Sequence, residues 1–114
     1  MNLKAICLLF MTILAFAGCD EINAQSEIDL KNYVVIDVRT KKEFDQGHLK
    51  NAVNIPHTEI KEKIKSHVVD KNRKIIVYCR SGRRSGIAKD ILDQMGYRNV
   101  INGGGYNKLK KIEK

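Results

Sequence analysis

The sequence predicts a small α/β sandwich with a mostly parallel sheet. Short β-branched runs alternate along the chain with segments of helical periodicity, which is typical of strand–helix–strand units. The chain has 114 residues, enough for one domain but not for two. Its 43% hydrophobic and 30% charged content fits a globular domain, and three cysteines are too few for a disulfide-rich scaffold.

The first 18 residues differ from the rest. Lys4 provides a positive start, and Ala5 to Gly18 is an apolar run of 14 residues, the length of a signal-peptide core and short for a membrane span. We therefore predict a signal peptide of the lipoprotein type at 1–18. The small residues before Cys19 resemble a bacterial lipobox, which predicts acylation of Cys19. Ordinary cleavage after Ala17 is the alternative. Either way, we expect an exported chain, lipid-anchored to a bacterial membrane or periplasmic.

Residues 19–29 are predicted to form a polar tether, and the folded domain is predicted to span 30–114. Tyr33 to Val38 is β-branched and reads as a buried strand. Thr40 is expected to cap a short helix over Lys41 to Gln46, with Glu43 completing a capping box. A second extended piece, Ala52 to Ile55, is stopped by Pro56.

The second half of the domain continues the alternation. Thr58 is expected to cap a helix whose buried stripe is Ile60 and Ile64, and Lys74 to Tyr78 is predicted to be a central strand. A helix follows over Ser85 to Met95. It is expected to bury Ile87, Ala88, Ile91, Leu92 and Met95. A last strand over Asn99 to Ile101 precedes three glycines and a basic helix.

The loop after the central strand carries the chemistry. It reads Cys79, Arg80, Ser81, Gly82, Arg83, Arg84 and Ser85. A cysteine at the carboxyl end of a parallel strand, followed at once by a helix start, places a thiol where backbone N–H groups converge. Those donors, the helix dipole and three arginines favour the thiolate. The sequence therefore predicts Cys79 as a nucleophile in an anion-binding loop.

Three segments of the chain resemble the rhodanese-like sulfurtransferases. Val35 to Arg39, with Glu43-Phe44 and Gly47-His48-Leu49, is similar to the family's first motif. Ala52 to Pro56 is similar to its second motif, and Val77 to Ser85 is similar to its active-site loop. This resemblance implies a three-layer sandwich, a parallel sheet flanked by helices, as the fold of residues 30–114.

The resemblance also implies a reaction. Cys79 would take the outer sulfur of thiosulfate as a persulfide and pass it to a thiophilic acceptor such as cyanide or a thiol. Residues 80 to 85 would bind the small anionic donor, with Arg80 and Arg84 contacting its sulfonate group. We expect Arg39 to pair with Glu43, and His48 to anchor a loop or, as the alternative, to act as a base toward Cys79.

Other functions are weighed against this one. The family shares its fold with phosphatases and arsenate reductases that need an arginine six positions after the cysteine, where this chain has Ser85. A non-catalytic binding module is the other alternative. The net charge of +8 is spread over separate helices, so we expect no nucleic-acid partner. No metal, no cofactor and a monomer are expected.

Overall fold

The computed structural model describes residues 28–113. The predicted signal peptide at 1–18, the predicted lipidation site Cys19 and most of the predicted tether lie outside the described residues. A 3₁₀ turn, Leu30–Asn32, opens the described part. The strands are β1 (Val34–Asp37), β2 (Val53–Asn54), β3 (Lys74–Cys79) and β4 (Asn99–Gly105). The helices are α1 (Lys41–Asp45), α2 (Ile60–His67), α3 (Arg83–Gln94) and α4 (Tyr106–Ile112).

The four strands form one sheet in the order β2-β1-β3-β4, and every neighbouring pair is parallel. The polypeptide therefore crosses over between strands, and the helices make these crossovers. The predicted α/β class with a parallel sheet flanked by helices is confirmed.

Both faces of the sheet are buried, which explains the nearly unbroken apolar sequence of β3. Alternate residues of this strand enter different cores: Ile75, Val77 and Cys79 face α2 and α3, while Ile76 and Tyr78 face α4. All five side chains have no exposed surface. Because side chains alternate between the two faces along β3, the Cys79 side chain lies on the face that α3 covers.

The helix α1 begins as the sequence predicts. Thr40 Oγ1 accepts a hydrogen bond from the Glu43 backbone N–H at 3.2 Å, and Glu43 Oε1 accepts one from the Thr40 backbone N–H at 3.2 Å. This reciprocal capping box satisfies two N–H groups that the first helical turn leaves free.

The helix α2 buries Ile60 and Ile64 as predicted, but its predicted cap is wrong. Thr58 lies in a turn, and the residue at the cap position is Glu59, whose side chain makes no capping bond. The reason is a tight turn at Pro56, whose carbonyl accepts from the Glu59 N–H at 2.8 Å.

The helix α3 starts two residues earlier than predicted, at Arg83. Gly82 precedes it with φ of 102°, a left-handed conformation that glycine adopts without strain, so the chain enters the helix at once. Its fully buried residues are Ser85, Ala88 and Leu92. The prediction that Ile87 belongs to the buried stripe is wrong, since Ile87 is 40% exposed.

The last strand is longer than the sequence indicates, because the glycines after Ile101 continue β4. Val77 of β3 is opposite Asn102, but the next residue, Tyr78, is opposite Gly104, so Gly103 is an extra residue at a bulge. A Cβ on Gly103 would lie 2.9 Å from the Ile76 side chain. Close packing therefore requires glycine where the sequence indicated a loop.

Within residues 28–113, no helix combines the length and apolar character needed to cross a membrane.

Candidate active site

Cys79 is the last residue of β3, at the carboxyl edge of the sheet, and has no exposed surface. The Gly82 N–H donates a hydrogen bond to Cys79 Sγ at 3.0 Å, and Ser85 Oγ lies 3.5 Å from the sulfur. The short segment from Arg80 to Gly82 thus folds back over the sulfur, and the first turn of α3 closes the other side.

The ionisation of Cys79 depends on these neighbours. Burial raises the pKa of the Cys79 thiol, whereas the polar Ser85 side chain beside the sulfur and the backbone N–H groups of Ser85, Ser81 and Gly82 lower it. The donors outweigh burial and hold the pKa at about 7, below the ordinary value for a thiol. At neutral pH a large fraction of Cys79 is therefore thiolate, the nucleophilic form.

The loop around Cys79 is pressed closely against β4. A Cβ on Gly105 would lie 2.7 Å from the Arg80 carbonyl oxygen, which is backbone and cannot swing away. Gly105 is also the strand partner of Cys79. The position of the loop above the sulfur is therefore fixed by contact between two backbones.

Glu43 pairs with Arg84 at the start of α3 and not with the predicted partner Arg39. Its two carboxylate oxygens accept hydrogen bonds from Arg84 Nη1 at 2.7 Å and Arg84 Nη2 at 3.0 Å. The predicted ion pair between Arg39 and Glu43 is therefore wrong. The fork on Arg84 and the bonds of the capping box hold the pKa of Glu43 at about 2, although burial opposes this.

Arg39 pairs with Asp37 because Asp37 is buried without exposed surface and requires a cation. Arg39 Nη2 lies 2.6 Å from Asp37 Oδ2 and donates a second bond to the Gly47 carbonyl at 2.7 Å. Tyr78 donates its hydroxyl proton to Asp37 Oδ2 at 2.8 Å and accepts from the Leu49 N–H at 3.1 Å. Burial raises the pKa of Tyr78, so the hydroxyl stays protonated. This network joins β1, β3 and the loop after α1 beneath the site.

A cleft of about 230 Å³ opens beside the loop. Its lining residues are Arg39, Glu43, Gln46, Gly47, Arg80, Tyr106 and Asn107. Arg80 is exposed, and the Arg39 guanidinium lies 4.6 Å from the centre of the Tyr106 ring. The cleft is thus lined by the exposed Arg80, which directly follows Cys79, and by Arg39, whose guanidinium is paired with Asp37. The exposed guanidinium of Arg80 suits an anion.

The remaining loop residues of the prediction occupy different environments. Ser81 and Arg83 are exposed, Gly82 and Arg84 are half-buried, and Ser85 is fully buried. The structure therefore brings Gly82 and Ser85 to the sulfur, places Arg80 on the cleft, and directs Arg84 to Glu43.

His48 is attached to α1. Its Nδ1–H donates to the Phe44 carbonyl at 2.9 Å, and its ring stacks on Phe44 with centroids 3.7 Å apart. This contact agrees with the interpretation of His48 as a loop anchor. The hydrogen-bond partners of Cys79 Sγ named above do not include it.

Two contacts to residues of the loop were not predicted from the sequence. Asn102, on β4, accepts a hydrogen bond from the Ser85 hydroxyl at 2.6 Å, and Glu43 orients Arg84. An asparagine in a strand directly before three glycines is an unusual polar position and was the one available signal for Asn102.

No group of three or more potential metal ligands occurs among residues 28–113.

Comparison with known proteins finds rhodanese-like proteins both by sequence and by structure. The model of the Rhodanese-like domain family matches residues 22–112. Thiosulfate sulfurtransferase PspE of Escherichia coli is 51% identical over 70 residues, which cover 61% of this chain and 67% of that protein. A sulfurtransferase of Allochromatium vinosum is 35% identical over 79 residues, covering 69% and 72%.

Two solved structures agree with these matches. A rhodanese with anions from E. coli has 49% identity and a TM-score of 0.62, covering 64% of this chain and 86% of that chain. A rhodanese-related protein from Thermoplasma volcanium has 32% identity and a TM-score of 0.61, covering 75% and 84%.

Proposed function

Because this chain belongs to the rhodanese-like domain family and resembles a thiosulfate sulfurtransferase at 51% identity, we propose that it is a thiosulfate sulfurtransferase with Cys79 as nucleophile. The observation that carries this proposal is the position of Cys79, whose sulfur lies beneath a loop N–H donor at 3.0 Å and has a pKa of about 7. A buried cysteine in apolar surroundings would be inert and have a raised pKa.

The first half of the reaction forms a persulfide. The Cys79 thiolate attacks the outer sulfur of thiosulfate, the sulfur–sulfur bond of the donor breaks, and sulfite leaves with the electron pair. Cys79 then carries one additional sulfur as an anionic persulfide. The N–H groups of the loop remain available to this anion, because backbone donors need no rearrangement when the charge moves by one atom.

The second half regenerates the enzyme. A thiophile such as cyanide attacks the terminal sulfur, thiocyanate leaves, and Cys79 returns to the thiolate. Charge, atoms and electrons balance without a metal or a redox cofactor. The two half-reactions predict ping-pong kinetics.

The arginines supply attraction for the anionic donor. Arg80 is exposed on the cleft, so its guanidinium is free to meet the sulfonate. Glu43 holds the Arg84 guanidinium at the start of α3. Arg84 therefore contributes positive potential near the sulfur without having to move toward the donor. The net positive charge of the chain acts in the same direction at longer range.

A phosphatase is disfavoured by the same loop. The sixth position after Cys79 holds Ser85, whose hydroxyl is occupied within the site, and Arg84 is bound to Glu43. No guanidinium is therefore placed to enclose a phosphoryl group from that position.

The decisive experiment is to incubate the purified protein with thiosulfate and no acceptor, then measure its mass. We expect a gain of one sulfur atom on the Cys79 peptide, removed by cyanide with release of thiocyanate. Cys79→Ser should lose both, since a hydroxyl does not ionise in this site. Cys19→Ser is the matched control and should keep the adduct. No adduct on a reduced wild-type Cys79 would favour the binding module, and an adduct elsewhere would refute the mechanism.

We also propose that the chain is exported and anchored by a lipid on Cys19. The support is the apolar run of 14 residues from Ala5 to Gly18, which lies directly before Cys19. The test is mass spectrometry of the N-terminal peptide from membranes of the expressing bacterium. An acylated Cys19, lost together with membrane attachment in Cys19→Ser, supports the anchor. A mature chain that begins at Gly18 without an acyl group contradicts it.

A further inference from the structure

Asn102 lies at the bulge of β4, next to the site but outside the active-site loop. Its strand partner is Val77, and the extra residue Gly103 follows it. A bulge changes where side chains of a strand point, and bulges are frequent beside active sites. Here the Asn102 side chain contacts both the loop and the first turn of α3.

The orientation of the Asn102 amide is fixed by two backbone groups. Its Nδ2 donates to the Gly82 carbonyl at 3.1 Å, and its Oδ1 accepts from the Gly104 N–H at 3.0 Å. A carbonyl can only accept and an N–H can only donate, so the amide cannot be turned over without losing both bonds. The atom that faces Ser85 is therefore an oxygen.

Ser85 has one proton for two acceptors. Its Oγ lies 2.6 Å from Asn102 Oδ1, which has no proton of its own, and 3.5 Å from Cys79 Sγ. While Cys79 is a thiol, the S–H can donate to Ser85 and the Ser85 hydroxyl can donate to Asn102. When Cys79 ionises, the sulfur becomes an acceptor, and a bond from Ser85 to it requires breaking the bond to Asn102.

We propose that Asn102 is a positioning residue of the sulfur transfer, because its amide oxygen competes with the Cys79 sulfur for the single proton of the Ser85 hydroxyl. The competition limits how strongly the thiolate is stabilised. This matters for the reaction because a thiolate loses intrinsic nucleophilicity as its stabilisation increases. The inference deepens the proposed function and rests on it for its catalytic meaning.

The charged groups near Cys79 are not altered by this exchange. They are Arg80 on the loop, Arg83 and Arg84 on α3, Glu43 on α1 as the partner of Arg84, and the pair of Asp37 and Arg39 at the end of β1. Asn102 and Ser85 are neutral, so substitutions at these two positions change hydrogen bonds to the sulfur without removing a charge.

The test is the pH dependence of iodoacetamide alkylation, followed on the Cys79 peptide by mass spectrometry. It needs no sulfur donor, so failure of this inference can be told apart from failure of the proposed transfer. Asn102→Ala should free the Ser85 proton and lower the midpoint of alkylation by roughly 0.5 to 1 pH unit. Ser85→Ala should raise the midpoint. In the Ser85→Ala background, Asn102→Ala should have no further effect.

The opposite results refute the inference. If Asn102 only holds the loop through Gly82, its loss displaces the N–H donors and the midpoint rises. The inference is also refuted if Asn102→Ala leaves the midpoint of alkylation unchanged. It is refuted as well if Asn102→Ala shifts the midpoint by the same amount in the wild-type and in the Ser85→Ala background. Asn102→Ser is the second variant, since a serine can still accept from the Gly104 N–H and is too short to reach Ser85. Failure of both variants to fold, seen by circular dichroism, would make Asn102 structural and overturn the proposal.

Discussion

Replacement of Glu43 by glutamine tests whether the charge of Glu43 couples α1 to the active-site helix. Glutamine keeps an oxygen that can accept from the Thr40 backbone N–H and hydroxyl, which Glu43 Oε1 meets at 3.2 and 3.0 Å. The capping box therefore survives. The change removes the negative charge that pairs with Arg84 and the oxygen Oε2 that accepts from Arg84 Nη2 at 3.0 Å. Only a neutral oxygen then remains for Arg84 Nη1, which lies 2.7 Å from Oε1 of Glu43.

The size of the effect follows from the pKa of Glu43. A carboxyl with a pKa of about 2, against about 4.3 in the unfolded chain, stabilises the fold by at most about 3 kcal/mol at neutral pH. The side chains of Glu43 and Arg84 are 25% and 19% exposed, so solvent screening lowers this contribution. We expect Glu43→Gln to lower the free energy of unfolding by about 1 to 2 kcal/mol at pH 7.

The effect has a definite pH dependence. The pKa of Glu43 is lower in the folded protein than in the unfolded chain, so the contribution is fully present above about pH 5. It declines as the pH falls toward 2, because the carboxyl then becomes protonated in the folded state as well. The stabilities of wild type and variant should therefore converge over this interval.

Urea unfolding at several pH values between 7 and 2.5, followed by circular dichroism, measures this difference. Asp45→Asn is the matched control on the same helix, because Asp45 pairs with Lys41 on the surface, where both side chains are more than half exposed. It should change stability by less than about 0.5 kcal/mol. A Glu43→Gln deficit that is equally small at pH 7, or that stays constant down to pH 2.5, would refute the coupling.

Three further predictions concern the framework and the donor site. Tyr78→Phe removes the hydroxyl that joins buried Asp37 to the Leu49 N–H, and should lower the free energy of unfolding in urea by about 1 to 3 kcal/mol; a loss below about 0.5 kcal/mol would contradict this. Gly105→Ala places a Cβ 2.7 Å from the Arg80 carbonyl oxygen and should displace the loop. We expect kcat/KM for thiosulfate to fall at least about tenfold while the protein stays folded. Wild-type activity would show that the loop tolerates displacement. Arg80→Ala should raise KM for thiosulfate roughly five- to tenfold at low salt and less at high salt, and a salt-independent KM equal to wild type would exclude attraction by this arginine.

The sequence alone determined the elements whose signals are local. A β-branched run such as Lys74 to Tyr78 forms a strand in any α/β arrangement, because its side chains fit a sheet buried on both faces. The capping box of Thr40 and Glu43 spans three residues, so it could be predicted without tertiary contacts. The same holds for Cys79 and its loop, because strand, glycine and helix start are adjacent in the chain.

Local reasoning failed where a side chain had several possible partners. Arg39 lies four residues before Glu43, a spacing that favours a pair only within a helix. Arg39 precedes α1 and meets the buried carboxylate of Asp37, whose desolvation demands a cation, and this leaves Glu43 to Arg84, 41 residues away. Burial decides which carboxylate Arg39 pairs with, and burial can be known only from the folded structure.

The surroundings of the sulfur were likewise decided by the tertiary structure. The alternation of β3 determines which face Cys79 occupies, but the bulge of β4 determines that Asn102 meets Ser85. At the bulge and just after it, Gly103 and Gly105 permit neighbouring groups to approach within distances that a Cβ would prevent. The sequence by itself therefore determined the strand–loop–helix unit that carries Cys79. The tertiary structure decided which groups form hydrogen bonds near Cys79 and which carboxylates pair with Arg39 and Arg84. These partners come from distant segments that pack together across the sheet, so they cannot be found from neighbours along the chain.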